Sequence, residues 1–183
     1  MNIDNANSFN GVNTQTLNTV FSSLQKQPEM AKVAFSARSE WKGGFSVGVT
    51  ASKGFRMGGQ NIERNTEYKA QYDFPVQMAG EERGPTVCEG CMGALAACLT
   101  QTMVAHATSR GIHLDSIDID VEGDIDMRGI SKDVRPVAQQ FRVKINIKSN
   151  TTSKEQLDEL REIGKRFSPA FDTLTNGISV VIV

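Results

Sequence analysis

The residues of this chain whose type and spacing could do chemistry are three cysteines, Cys88, Cys91 and Cys98, all lying between Gly84 and Gly111. A cysteine thiolate is a nucleophile, a redox centre and a metal ligand. Cys88-Glu89-Gly90-Cys91 is a C-x-x-C at an expected helix start. There the free N–H groups and the helix dipole favour a thiolate, and two thiols three residues apart can pair. The same pair is half of a zinc site, but no second C-x-x-C follows, so no metal is expected. Cys98 stands in the Ala-rich stretch Gly93-Ala94-Leu95-Ala96-Ala97-Cys98-Leu99. It is either an inert small hydrophobe or a nucleophile whose hydrogen-bonding or cationic partner the fold must supply.

Helical geometry limits what these groups can share. At about 100° per residue the three cysteines point within roughly 80° of one another. Along the axis, Cys91 and Cys98 are separated by about 10 Å, whereas a disulfide tolerates Cα separations up to about 7 Å. Cys98 therefore pairs with neither neighbour while the helix is intact. His106 lies about 12 Å beyond Cys98 and cannot activate it within one chain. A packed or surface role is expected for His106 and His113. No Ser-His-Asp order, phosphate loop or dinucleotide fingerprint is present, and no cofactor is expected.

The element that positions the cysteines has both ends written into it. Thr86 followed by Glu89 is a capping box, and Gly111 after Arg110 is a stop. Leu95, Cys98, Leu99, Thr102, Met103 and His106 draw a stripe at three- and four-residue spacing. The alanines keep the other faces thin, which predicts a central helix packed on several sides. Before it, a polar, Asn-rich segment over residues 1–12 reads as loose. A short helix follows from Asn13, with Leu17, Val20, Phe21 and Leu24 on one face and Pro28 as its stop. Alternation predicts strands from Lys32 to Trp41, from Phe45 to Thr50 after a Lys42-Gly43-Gly44 turn, and from Thr66 to Val76. A turn or short strand falls between Phe55 and Ile62. After the helix, acidic-faced Ile117-to-Glu122 and basic-faced Phe141-to-Lys148 are natural antiparallel partners. Ser153 and Gln156 box the start of a second helix that ends at Ser168-Pro169. Ile178 to Val183 reads as a buried strand. The fold class is α+β, with residues 1–30 an extension and 31–183 the domain.

With 20 basic and 21 acidic residues the net charge is −1, which argues against a nucleic acid or an anionic membrane as the main partner. No apolar run is expected to span a bilayer. The N-terminus lacks a basic start and an apolar core, so no signal peptide is expected. An odd, low cysteine count fits reduced thiols and a cytoplasmic location.

The residues now assembled carry a resemblance. Gly84-Pro85-Thr86, the run from Gly93 to Thr100, and Ala107-Thr108-Ser109-Arg110-Gly111-Ile112 are similar to the central helix of the OsmC/Ohr family of thiol peroxidases. Arg38-Ser39-Glu40-Trp41-Lys42-Gly43-Gly44 resembles that family's first hairpin. Lys165-Arg166-Phe167-Ser168-Pro169-Ala170-Phe171-Asp172-Thr173-Leu174 resembles its second-helix signature. The resemblance implies antiparallel sheets around a long central helix and a second helix, in an intertwined homodimer. It implies a Cys98 nucleophile that attacks an organic hydroperoxide and a second cysteine that resolves the sulfenic acid. It also implies an arginine and a glutamate that tune the thiol. Here Ser168 occupies the second cysteine's position, Cys88 the glutamate's, with Glu89 one residue off, and Arg83 and Arg38 are the arginine candidates. Cys88 or Cys91, from the other subunit, is left as the resolving or tuning thiol. The expected function is thiol-dependent reduction of organic or hydrogen peroxide at the expense of a thiol reductant. The alternative from another class is a protein that binds a small hydrophobic ligand or senses redox state without turnover. A purely structural role is the third.

Overall fold

The structure, a computed structural model, describes residues 7–135 and 138–182. Its described residues fall into two compact units. One comprises the segment up to Leu17 together with everything from Cys91 onward; the other runs from Asn18 to Gly90.

The first unit opens with a short hairpin, β1 (Ser8–Phe9) and β2 (Val12–Asn13). Its turn is Asn10-Gly11, both with positive φ (50° and 75°). Asn-Gly tolerates the left-handed conformation that a two-residue turn demands. The Asn10 side chain donates to the Ile112 carbonyl at 2.8 Å and accepts from the Leu114 N–H at 3.0 Å. The hairpin is thus tied down rather than loose, as residues 1–12 read in the sequence; residues 1–6 lie outside the described residues. Helix α1 (Thr14–Lys26) starts under an Asn13 cap, whose side chain accepts the Thr16 N–H at 2.8 Å. A 3₁₀ turn at Pro28–Ala31 follows it.

The core of this unit is built on helix α2 (Val87–Ser109), strands β9 (Ser116–Ile125) and β10 (Ala138–Lys148), and helix α3 (Lys154–Phe167). The strands pair antiparallel with Arg142 opposite Glu122 and Lys144 opposite Asp120, so the charge alternation in the sequence sets opposite signs side by side. Their other face supplies Ile117, Ile119, Val121, Phe141, Val143 and Ile145 to a cluster around buried Leu95, Leu99, Met103, Leu160 and Ile163. Ser153 accepts the Gln156 N–H and Gln156 returns to the Ser153 N–H, both at 3.3 Å, closing the expected capping box of α3.

Gly164 sets how closely α3 approaches α2. A Cβ there would lie 3.1 Å from Met103 Cγ and 3.3 Å from its sulfur, and Met103 is fully buried. Gly164→Val should therefore cost about 2 kcal/mol through overpacking, read as a lower denaturant midpoint. An unchanged midpoint would mean the two helices are not in close contact at this point.

The second unit holds two three-stranded antiparallel sheets. One has the order β3 (Val33–Ala34), β6 (Gly54–Met57), β7 (Gln60–Glu63); the other has β4 (Ala37–Trp41), β5 (Val47–Ala51), β8 (Tyr68–Tyr72). The single strand expected from Lys32 to Trp41 is thus two, with the break at Phe35-Ser36 transferring the chain from one sheet to the other. Lys42-Gly43-Gly44 makes the expected turn, both glycines at positive φ (97° and 56°). Buried Asp73 organises the segment leading to α2: its carboxylate accepts the N–H groups of Phe74 at 2.8 Å, Arg83 at 3.3 Å and Glu81 at 3.4 Å. Asp73→Ala leaves those donors without their acceptor and should lower stability by about 2 kcal/mol. Protection of the Phe74 and Arg83 amides in hydrogen exchange should fall with it; unchanged protection would show that the carboxylate does not hold them.

Three further expectations are corrected. Residues 178–182 form no strand, and Ile178, Val180, Val181 and Ile182 are exposed. A strand needs a neighbouring edge for its N–H and C=O groups, and among the described residues none pairs with this run; Val183 lies outside them. An additional helix, α4 (Pro169–Asn176), follows α3 directly. Finally, α2 with its 23 residues is long and apolar enough, by length and composition, to cross a membrane. Its Leu95, Leu99, Met103 and Ala107 sides nevertheless pack into the protein core.

Candidate functional site

Cys98 sits midway along α2 and is partly exposed. The residues next to its sulfur come from the corner between α3 and α4. Ser168 is only 1% exposed, and its hydroxyl lies 3.2 Å from Cys98 Sγ. The same hydroxyl oxygen accepts the Phe171 N–H at 3.3 Å, which makes Ser168 the cap of α4. Its one hydrogen is left for the sulfur. Pro169 occupies the first turn without an N–H, and the following Ala170 N–H donates to Cys98 Sγ at 3.5 Å. Two donors therefore converge on one sulfur, both provided by the start of α4.

Of the residues singled out in the sequence, the structure brings Ser168 to Cys98. Cys88 and Cys91 lie on the same continuous helix, about 15 and 10 Å up the axis from Cys98, and that helix holds them apart from it. Both are free thiols, Cys91 exposed and Cys88 partly so. Glu89 serves the helix cap. Its carboxylate accepts the Thr86 N–H at 2.7 Å and the Thr86 hydroxyl at 2.8 Å, while the Thr86 hydroxyl oxygen accepts the Glu89 N–H at 3.2 Å. The Thr86 backbone and side-chain hydrogen bonds hold its carboxyl below the usual carboxylate range. Arg83 pairs with Glu81. It also lines a cavity of about 690 Å³ with Glu40, Lys42, Thr50, Lys69 and Gln71. That cavity is bordered by charged side chains and contains none of the cysteines. Arg38 lies exposed on β4 opposite Thr50.

His106 stacks on Phe167, ring centroids 4.9 Å apart. Burial and then the Arg110 charge push its pKa down. It fits the expected packed role. His113 lies 3.6 Å from the Asp115 carboxylate. Among the described residues no group of three or more His, Cys, Asp and Glu side chains could hold a metal.

The sequence reading missed the Ala170 N–H because it ended the helical signal at Ser168-Pro169. That dipeptide is also a start signal, with serine as the cap and proline in the first turn. Gly177, at φ 72°, closes the new helix.

No curated protein matches the chain. A Psychrobacter arcticus protein assigned to osmotic stress induction and detoxification response shares 10% identity at a TM-score of 0.58, over 78% of this chain and 89% of that one. An OsmC-like protein of Mycoplasma pneumoniae shares 17% at 0.58, over 76% and 86%. An organic hydroperoxide resistance protein, OsmC, of Legionella pneumophila shares 13% at 0.50, over 79% and 90%. At such identities the likeness speaks to fold: α+β, with antiparallel sheets and helices arranged as in OsmC-like proteins. The profile of OsmC-like proteins matches residues 80–183, more than half of the sequence and the whole of the segment that seats Cys98 and Ser168. The chain belongs to the OsmC-like protein family.

Proposed function

We propose that the protein reduces organic or hydrogen peroxide with Cys98 as the attacking thiol. The observation that carries this reading is the convergence of the Ser168 hydroxyl and the Ala170 N–H on the Cys98 sulfur. A thiol sealed in hydrocarbon would have no such donors. Membership of the family, and a structural relative named for organic hydroperoxide resistance, support it. In the oxidising step the Cys98 thiolate attacks one peroxide oxygen, the O–O bond breaks and an alcohol or water leaves. The sulfur becomes a sulfenic acid. A second thiol must then condense with it, releasing water. Cys88 or Cys91 of a second copy is one source of that thiol.

A homodimer is part of this reading. It is supported by apolar surface left exposed on the single chain: Phe35, Trp41, Tyr68 and the run from Ile178 to Ile182. Soluble monomers seldom leave that much large apolar side chain open to water. On α2, Cys91, Ala94 and Ala97 are exposed along one face, small enough for a second helix to approach closely.

The competing reading is a binder or redox sensor of the same fold. The observation favouring it is the serine at position 168, which cannot close a disulfide with Cys98. Peroxide consumption in the presence of a dithiol, compared between the wild type and Cys98→Ser, separates the two. Cys98-dependent turnover is expected; turnover that is absent, or indifferent to the substitution, gives the site to the binder.

A further inference from the structure

Resting on the reading of Cys98 as the hydroperoxide-reducing thiol, we propose that its sulfenic acid is held by Ser168 and discharged by a small external monothiol, without a second cysteine of the protein. The position against the sulfur is filled by a hydroxyl, and that hydroxyl is placed rather than incidental. It is 1% exposed, it caps α4 by accepting the Phe171 N–H, and its hydrogen is directed to Cys98 Sγ at 3.2 Å. Serine can hold an oxidised sulfur there but cannot bond to it covalently. The chain's other thiols, Cys88 and Cys91, are kept about 15 and 10 Å away along a helix that would have to unwind to bring them closer. A disulfide requires Cα atoms within about 7 Å. Cys98 itself keeps partial exposure on the single chain.

The chemistry balances with a monothiol alone. Cys98–S⁻ takes one oxygen from R–O–O–H; with one proton taken up, the products are Cys98–S–O–H and R–O–H. A monothiol R′–S–H then forms the S–S bond of Cys98–S–S–R′, and its hydrogen leaves with the sulfenic hydroxyl as water. A second R′–S–H displaces Cys98 as the thiol and departs as R′–S–S–R′. Two thiols are oxidised for each hydroperoxide reduced.

The test uses the full chain, one equivalent of tert-butyl hydroperoxide and 2-mercaptoethanol as the monothiol, followed by intact and peptide mass spectrometry. A mixed disulfide on Cys98 is the expected product. In Ser168→Cys, a near-isosteric change, the introduced thiol sits against the sulfur. It should capture the sulfenic acid as an intrachain disulfide, lowering the mixed adduct at least about tenfold, since a positioned thiol outcompetes a dissolved one. A wild-type Cys98 disulfide to Cys88 or Cys91, from either copy, overturns this inference and leaves the peroxidase reading standing. Failure to trap any sulfenic acid on Cys98 with a dimedone-type reagent defeats both.

Discussion

Replacing Cys98 with serine should lower hydroperoxide consumption at least about a thousandfold, the scale on which removal of a nucleophile acts. A thiolate is a nucleophile, whereas an alcohol does not ionise in the neutral range. Unlike sulfur, an alcohol oxygen cannot be raised to a higher oxidation state by taking up the peroxide oxygen, so the loss lies in the chemical step rather than in binding. The substitution is otherwise mild. Ser168 Oγ and the Ala170 N–H, now 3.2 and 3.5 Å from a sulfur, can bond an alcohol oxygen equally well. The circular dichroism spectrum and unfolding midpoint should therefore match the wild type. Loss of turnover with an intact fold assigns the chemistry to the sulfur; loss of both would assign Cys98 to packing.

The cysteine helix was legible because its ends are chemical statements. Thr86 with Glu89, and Gly111 at φ 67°, bound the helix as read. The β9–β10 pairing was legible because Asp120 faces Lys144 and Glu122 faces Arg142. What escaped the reading depended on the third dimension or on competing local signals. Ser168-Pro169 both stops one helix and starts the next, and periodicity alone does not choose between them. Asn10-Gly11 was submerged in a polar segment although it is a strong turn signal. The Ile178–Ile182 run carries strand composition, but composition does not supply the edge on which a strand depends. At the site, family likeness pointed to Ser168 as the residue opposite Cys98. Its double role, capping α4 while donating to the sulfur, required coordinates. Glu89 shows the reverse: a carboxylate considered for tuning the thiol is committed to Thr86.

Leu160→Ala should be the most damaging change to stability, by about 3 to 4 kcal/mol. Leu160 is completely buried on α3, in the cluster with Leu95, Leu99, Met103, Ile147 and Ile163. Removing three carbons forfeits roughly 2 kcal/mol of transfer free energy at about 0.8 kcal/mol per methylene. The cavity adds the remainder, because neighbours in a packed core relax only in part. Against a typical total of about 5 to 15 kcal/mol, the variant stays folded in buffer but its urea midpoint falls markedly. Leu160→Met keeps the volume and should cost less than about 1.5 kcal/mol. The comparison bears on the site because α3 carries Ser168 at its end, eight residues on, about 12 Å along the chain's helical path. If α3 is a rigid arm, Leu160→Ala below its midpoint lowers the number of folded molecules but not the rate of Cys98 oxidation in each. A slower rate per folded molecule at low urea would show instead that the arm tilts and that Ser168 has moved off the sulfur, whereas a midpoint shift under about 0.5 kcal/mol, the range of surface substitutions, would remove Leu160 from the core altogether.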